Sequence, residues 1–290
     1  MGSRIIYYSI ILPIAWLPYP LLYFFSDFAF FMIFRVVGYR KKVVSNNIKN
    51  SFPEKSQKEQ KVIMKDFYKH FCDLAVESLK GFVISEKQLK RRFTITNPEV
   101  ANKYFDLGKD VIFVGGHYNN WEILAQGVSM ELKHEIVGLY KPLSNTYFND
   151  KMKISREQFG LILSPIKQTK RYLEKDLGKP KGTIFGIDQS PGNPKKSFWM
   201  SFLNQDTPVL FGAEKYSKEY NFPVIFCKIN KVKRGHYQGV LKLICESPED
   251  TEYGYVTTKN MQTLEQDIIA QPAFWLWTHR RWKHKRTTTN

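Results

Sequence analysis

The segment from Val111 to Glu122 constrains the possible folds of this chain more than any other segment does. Its first four residues, Val-Ile-Phe-Val, are β-branched or aromatic, and Gly115 and Gly116 follow them. An apolar run bounded by glycines predicts a buried strand that ends in a tight turn. His117 comes directly after this turn, just before a predicted helix. A histidine in that position is suited to proton transfer near neutral pH.

The spacing between His117 and Glu122 decides whether their side chains can meet. Five residues along one continuous α-helix place the side chains about 140° apart. If His117 lies in the loop and Glu122 in the first helical turn, the glycines allow the chain to bend back. The carboxylate could then hold one ring nitrogen while the other faces a substrate. The alternative is that His117 packs at a turn and Glu122 only favours a helix N-terminus. These residues alone leave both interpretations open.

Strands that alternate with helices predict the fold class. We expect an α/β protein with a mixed, largely parallel central sheet flanked by helices and an N-terminal membrane-associated helical segment. The active groups of such sheets gather where strands end, and His117 and Asp188 both follow predicted strand ends. The predicted strands are residues 111–114, 135–140, 161–163 and 183–187, followed by a hairpin of residues 224–229 and 237–244.

The N-terminal segment is predicted to associate with a membrane. Residues 5–25 contain no charged side chain, and a helix needs about 20 apolar residues to cross a bilayer. Three prolines interrupt this run, and proline breaks or kinks a helix. Basic residues between Arg35 and Lys42 favour the cytoplasmic side for the chain that follows. We therefore predict a membrane anchor in residues 1–38, spanning or lying on the membrane, and a main domain in residues 39–290. A buried pair of helices is the structural alternative.

Charge and cysteine content narrow the possible partners. The chain has 44 Lys and Arg against 27 Asp and Glu, a net charge of +17, which favours anionic partners such as nucleic acid, acidic proteins or anionic lipids. Three cysteines without a C-x-x-C motif suggest neither a disulfide framework nor a zinc site. The sequence lacks a dinucleotide fingerprint, a phosphate loop, H-E-x-x-H and a serine elbow. A base without a protein nucleophile remains, and such a base could activate a substrate hydroxyl.

Four sequence blocks carry a resemblance to a known family. The segment from Gly116 to Glu122 resembles the G-H-[FY]-x-N-W-E signature of the bacterial late lipid A biosynthesis acyltransferases, the lauroyl and myristoyl acyltransferases. These belong to the lysophospholipid acyltransferase superfamily, whose mark is H-x4-[DE]. Lys141 stands where the family usually has arginine, and Asn119 where glycine is frequent. The other similar blocks are Leu139–Leu143 (Y-R-P), Ile187–Gln189 (D-Q) and Phe274–Lys283 (W-x-W-x-H-R-R-[FW]-K).

The resemblance implies transfer of a fatty acyl chain from acyl carrier protein, or acyl-CoA, to a hydroxyl of a lipid A precursor. His117 would be the general base and Glu122 would orient its ring. The co-substrate is the only cofactor implied, with no metal and no nucleic acid. The enzyme would lie at the inner membrane, with its main domain on the cytoplasmic side. The implied substrate-binding candidates include Lys141 and Arg156. Asp188 and Gln189 are further candidates, with a structural role in the turn at the strand end as the alternative for both. Arg280 and Arg281 would bind anionic headgroups, with Trp282 at the membrane interface.

Two alternatives stay open at this stage. One is an acyltransferase for another lipid acceptor, such as a lysophospholipid or an aminolipid. The other is a non-catalytic, membrane-anchored basic binding protein. An enzyme requires His117 and Glu122 to face each other beside a long apolar groove, whereas a binding protein requires neither and should show a continuous basic surface.

Overall fold

The computed structural model describes residues 2–286, apart from the side chain of Lys196. The chain begins with two helical rods separated by an extended Pro18. The second rod, which we call the anchor helix (Tyr19–Val37), is long and apolar enough to cross a membrane by length and composition. Only 11% of its apolar window is buried, so the predicted alternative of a buried helix pair is wrong for this rod. The first rod comprises α1 (Gly2–Ile6), a π-helical turn (Tyr7–Ile11) and α2 (Leu12–Trp16), and the anchor helix comprises α3 (Tyr19–Phe31) and a π-helical end (Met32–Val37).

The later helices flank the sheet, as predicted from the alternating pattern. The longest, α5 (Gln57–Lys80), begins at a capping box, in which the Glu59 carboxylate accepts from the Ser56 backbone N–H at 2.8 Å. The remaining α-helices are α4 (Lys41–Ser51), α6 (Glu86–Lys90), α7 (Glu99–Asp106), α8 (Trp121–Glu131), α9 (Thr146–Glu157), α10 (Thr169–Glu174), α11 (Gly212–Tyr220) and α12 (Tyr255–Ala270).

A seven-stranded sheet forms the centre of the protein and confirms the predicted fold class. Its order is β1-β9-β8-β2-β5-β3-β4, and every neighbouring pair is parallel except the β8–β9 hairpin. A separate hairpin pairs β6 with β7. The strands are β1 (Phe93–Ile95), β2 (Val111–Gly115), β3 (Glu135–Tyr140), β4 (Ile162–Pro165), β5 (Lys181–Gly186), β6 (Phe198–Phe202), β7 (Gln205–Val209), β8 (Val224–Lys233) and β9 (His236–Cys245).

Strand β2 lies in the middle of the sheet with both faces covered. Ile112 and Val114 belong to one apolar cluster, and Val111 and Phe113 belong to the other. Successive side chains of a strand point to opposite faces, so the continuous apolar run fills both clusters at once. The carboxyl ends of β2, β5 and β3 meet at one edge because these strands are parallel neighbours. The loops that carry His117, Asp188 and Lys141 therefore begin at the same edge.

The β6–β7 hairpin was not predicted from the sequence. Its turn residues, Leu203 and Asn204, have φ values of 50° and 60°. This left-handed turn usually requires glycine or asparagine, and the first position here is leucine. The tertiary structure holds the turn, since Leu203 is buried and its backbone N–H donates to the Glu265 carboxylate at 2.5 Å.

Candidate active site

His117 lies in the loop after β2, where the sequence predicts it. Gly116, just before it, has no room for a side chain, because a Cβ there would lie 2.7 and 2.8 Å from the methyl groups of Leu264 and 3.2 Å from Asp188 Oδ2. Leu264 belongs to α12. A side chain at position 116 would therefore require the buried Leu264 side chain or the loop itself to shift.

Gly116→Ala is expected to lower the free energy of unfolding by about 1–3 kcal/mol, because the added Cβ overpacks against Leu264 and either this buried side chain or the loop must shift. Activity should fall as well, since the shift moves His117 relative to Asp188. Urea unfolding monitored by circular dichroism measures the stability change. Gly192→Ala is the matched control, because a Cβ at Gly192 has no neighbour within 4 Å. Equal stability of the two variants would contradict the close-contact explanation.

Two asparagines shape the rest of this loop. Asn119 has a φ of 54°, a left-handed conformation that asparagine tolerates better than most residues, so it can replace the glycine that is frequent in the family block. Its side-chain amide donates to the Ile229 carbonyl at 2.8 Å. Asn120 caps α8, where its Oδ1 accepts from the Ile123 backbone N–H at 2.9 Å. The sequence thus folds locally into strand, glycine turn and capped helix.

Asp188 is the carboxylate that holds the His117 ring. Its Oδ1 lies 2.7 Å from His117 Nδ1, and its Oδ2 accepts from the His117 backbone N–H at 2.8 Å. Gln189 Nε2 lies 3.1 Å from His117 Nε2. An ionised carboxylate can only accept, so Nδ1 carries a proton, and in the neutral ring Nε2 has the lone pair. The His117 side chain is 25% exposed, and the Gln189 amide lies beside this lone pair, so a substrate hydroxyl would have to take the place of that amide.

The charges of His117 and Asp188 stabilise each other. Burial alone would raise the pKa of Asp188, but the charge of His117 and three hydrogen bonds, from the His117 ring and backbone and from Trp275, lower it to about 2. Burial alone would lower the pKa of His117, but the charge and hydrogen bond of Asp188, with a smaller contribution from Glu122, raise it above its ordinary value. Asp188 therefore stays ionised at neutral pH and favours a positively charged ring.

The segment of residues 274–282, which we call the C-terminal strap, packs against the His117 loop. Trp275 Nε1 donates to Asp188 Oδ2 at 2.8 Å, and the Leu276 backbone N–H donates to the His117 carbonyl at 3.1 Å. Trp275 is 1% exposed. Sequence reasoning assigned no role to this tryptophan, although the W-x-W block of the family resemblance contained it.

Glu122 does not contact the His117 ring directly, which corrects the expected pairing. Its carboxylate accepts two hydrogen bonds from Arg156, at 2.7 Å from Nη2 and 2.9 Å from Nε, and a third from the Trp121 indole at 3.1 Å. The first turn of α8 directs Glu122 toward α9, which carries Arg156, while Asp188 already occupies the ring nitrogen. The two ends of the H-x4-E motif therefore hold two different groups: the general-base candidate and an arginine.

The other predicted site residues differ in their exposure to solvent. Lys141 is exposed in the loop after β3, and Arg280 is exposed on the strap. Arg281 is fully buried, and none of its guanidinium nitrogens bonds an acceptor within residues 2–286. Burial lowers the pKa of Arg281 to about 10, against the opposing charge of Asp188. Trp282 donates to Thr207 Oγ1 at 2.7 Å. The expected grip of Arg281 on headgroups at the surface is therefore wrong, because its side chain is buried, whereas Trp282 is half-buried.

The chain is similar to known proteins over nearly its whole length. Residues 3–284 match a family model described as bacterial lipid A biosynthesis acyltransferase. Two curated proteins are similar to the chain: a lipid A biosynthesis palmitoleoyltransferase of Escherichia coli (strain K12) and a lipid A biosynthesis acyltransferase of Shigella flexneri. Each is 21% identical over 285 residues, which cover 92% of this chain and 86% of the relative. The match extends from the first rod through the C-terminal strap.

Proposed function

Because this chain belongs to the bacterial lipid A biosynthesis acyltransferase family, we propose that it moves a fatty acyl chain from acyl carrier protein to a hydroxyl of a lipid A precursor, with His117 as general base. The chain is an acyltransferase, so the alternative of a non-catalytic basic binding protein is set aside. The observation that carries the proposal is the geometry of the His117 ring, whose Nδ1 is held by Asp188 while Nε2 keeps a lone pair at the exposed edge.

The reaction follows from this arrangement. His117 Nε2 takes the proton of the lipid hydroxyl as its oxygen attacks the thioester carbonyl. The new C–O bond forms a tetrahedral intermediate, which collapses by breaking the C–S bond. The proton on Nε2 then passes to the leaving sulfur, so the ring returns to its starting state. The ionised Asp188 stabilises the imidazolium during this cycle, as the buried aspartate of a catalytic triad does.

Arg156 is our candidate for binding negative charge near His117. Glu122 occupies Nε and Nη2 of the guanidinium, which leaves the Nη1 edge for a substrate. A guanidinium fixed in this way suits a phosphate or a developing oxyanion. The more exposed Lys141 would act as a second, more mobile positive charge for a lipid phosphate. In this role Glu122 is a positioning residue, because it acts through Arg156.

The net charge of the chain supports the proposed acyl donor. Acyl carrier proteins are acidic, and the net charge of +17 favours association with such a donor. Acyl-CoA, another anionic thioester, is the competing donor. Both donors are cytoplasmic, so we propose that the main domain faces the cytoplasm at the inner membrane. An anionic lipid acceptor suits the same basic surface.

A transfer assay tests the proposed function. Purified protein in detergent would be supplied with acyl carrier protein or CoA thioesters and with three acceptors: a lipid A precursor, a lysophospholipid and an aminolipid. We expect the highest kcat/KM for the acyl carrier protein donor and the lipid A precursor. Preferred acylation of either other lipid would refute the proposed acceptor, and preference for CoA would refute the proposed donor.

Glu122→Gln is expected to lower kcat/KM more than tenfold, because Arg156 loses its charged partner and its fixed orientation. Removal of this charge-assisted contact should cost about 1–3 kcal/mol of folding free energy. Asp106→Asn is the matched control, since Asp106 forms an equally short ion pair of 2.7 Å with Lys133 on the exposed surface. Exposed pairs contribute about 0–1 kcal/mol. Wild-type kinetics in the Glu122 variant would remove Arg156 from the proposed site.

A further inference from the structure

The anchor helix has a continuous apolar face that no described residue covers. Phe24, Phe28 and Phe31 follow one another at helical spacing and are 68%, 59% and 55% exposed. Trp16, at the end of the first rod, is exposed as well. Exposed aromatic residues at this spacing are typical of a helix that rests on a lipid surface. This face alone fits a helix that crosses the membrane and a helix that lies along it equally well.

The opposite face of the same helix docks onto the main domain through buried apolar side chains such as Leu22 and through polar contacts. Tyr23 donates to the Glu77 carboxylate at 2.8 Å, and Ser26 donates to the Asp73 carboxylate at 2.7 Å. Ser26 and Asp73 are buried at this contact. Both acceptors belong to α5. The middle of the anchor helix therefore lies along α5 rather than projecting away from it.

Arg234, in the β8–β9 turn, completes this contact. Its guanidinium bridges Asp27 of the anchor helix and Asp73 of α5, at 2.7 and 2.6 Å. If the anchor helix crossed the bilayer while docked in this way, these charged groups would have to enter the hydrocarbon, which is costly. If it separated from α5 in order to cross, Asp27 would enter the hydrocarbon without its arginine. The ion pairs therefore oppose a transmembrane orientation.

Both ends of the N-terminal region also contact the main domain. Asn145, at the start of α9, donates to Ser3 Oγ at 2.8 Å. Arg40, just after the anchor helix, donates to the Thr278 carbonyl of the C-terminal strap at 2.9 Å. Residues 3 and 40 thus lie on the same body of the protein, with the whole apolar region between them.

We propose that residues 2–38 form a surface for an anionic lipid bilayer on which the anchor helix lies parallel to the membrane plane without crossing it. Phe24, Phe28 and Phe31 enter the boundary between headgroups and acyl chains. The exposed Arg35 and Lys42 contact anionic headgroups, since basic residues near a membrane surface are attracted to such lipids. Membrane binding in this geometry is independent of acyl transfer.

Cysteine labelling in the full chain tests which side of the membrane each end occupies. Cys72 and Cys227 are buried, so a Cys245→Ser background leaves new cysteines as the reactive thiols. Arg4→Cys, Lys42→Cys and, as a reporter of the main domain, Lys87→Cys introduce exposed positions. A membrane-impermeant maleimide should label all three positions in the same kind of vesicle, either inverted or right-side-out. Labelling of positions 4 and 42 from opposite sides would overturn the proposal.

Depth measurements separate a flat helix from a hairpin that dips into the bilayer. A fluorophore on Leu21→Cys, Phe28→Cys or Val36→Cys, in vesicles of phosphatidylethanolamine and phosphatidylglycerol, reports depth by quenching with lipid-attached quenchers. A flat helix should show three similar, shallow depths. Seven or eight residues of a perpendicular helix rise about 10–12 Å, so a depth difference of that size would overturn the proposal.

A flotation assay tests the requirement for anionic lipid. Binding to vesicles that lack phosphatidylglycerol should be at least tenfold weaker, and unchanged binding would refute this requirement.

Discussion

His117→Ala is expected to lower kcat for acyl transfer by about 10²–10⁴-fold, the usual contribution of a positioned general base. The variant should still fold, because Asp188 keeps its hydrogen bonds from the backbone N–H of residue 117 and from the Trp275 indole. A radiolabelled acyl donor and a lipid A precursor, under saturating conditions, measure the change in kcat.

The matched control is His236→Ala, since this histidine bonds the Arg91 carbonyl on another part of the surface and should leave kcat unchanged. His117→Gln separates shape from basicity, because the glutamine amide can hydrogen-bond but cannot accept the proton. A folded His117→Gln protein that turned over like wild type would exclude His117 as the base.

Asp188→Asn is expected to reduce kcat on the order of 10³–10⁴-fold, because a near-isosteric amide no longer stabilises the imidazolium or the required ring tautomer. The variant also separates Asp188 from Glu122 as the partner of His117. If the ring depended on Glu122 instead, Asp188→Asn would be mild and Glu122→Gln would be the more severe change.

The pH dependence gives a second readout for Asp188. A general base must be unprotonated, so activity should rise with pH as His117 loses its proton. The neighbouring Asp188 raises the pKa of His117 above 6.5, so the midpoint of kcat/KM should lie above this value. In Asp188→Asn the raising charge is gone while burial remains, so the midpoint should move to lower pH. An unchanged midpoint would contradict the ion pair.

Asp110→Asn, at the other end of β2 and β5, is a control that separates loss of stability from loss of catalysis. Asp110, just before β2, accepts from the Lys181 backbone N–H at 2.7 Å and pairs with its ammonium at 3.1 Å. This contact lies at the opposite end of β2 and β5 from His117. Asp110→Asn should lower the melting temperature without changing kcat. Loss of kcat in both aspartate variants would point to unfolding rather than catalysis.

The burial of Arg281 is a property that the local sequence pattern does not predict. Its position in a run of basic residues predicts a solvent-exposed charge that meets headgroups, yet the side chain is fully enclosed. The tryptophans of the C-terminal strap turn this run inward, since Trp275 and Trp277 are buried and their rings meet edge to face. Burial of a charge in this way depends on packing among distant segments, which a charge count does not contain.

The sequence by itself determined the parts of this protein that depend on neighbouring residues. An apolar run, two glycines and an asparagine cap produce strand, turn and helix. The sequence alone therefore predicts that His117 lies at the end of a strand. Only the tertiary structure decided which carboxylate meets its ring. Asp188 is 71 residues away, and it reaches His117 because β2 and β5 pair in parallel with Gly115 opposite Gly186. Strand register between distant segments arises from packing of the whole sheet, whereas the nearby Glu122 is bound by the direction of its own helix to a different partner.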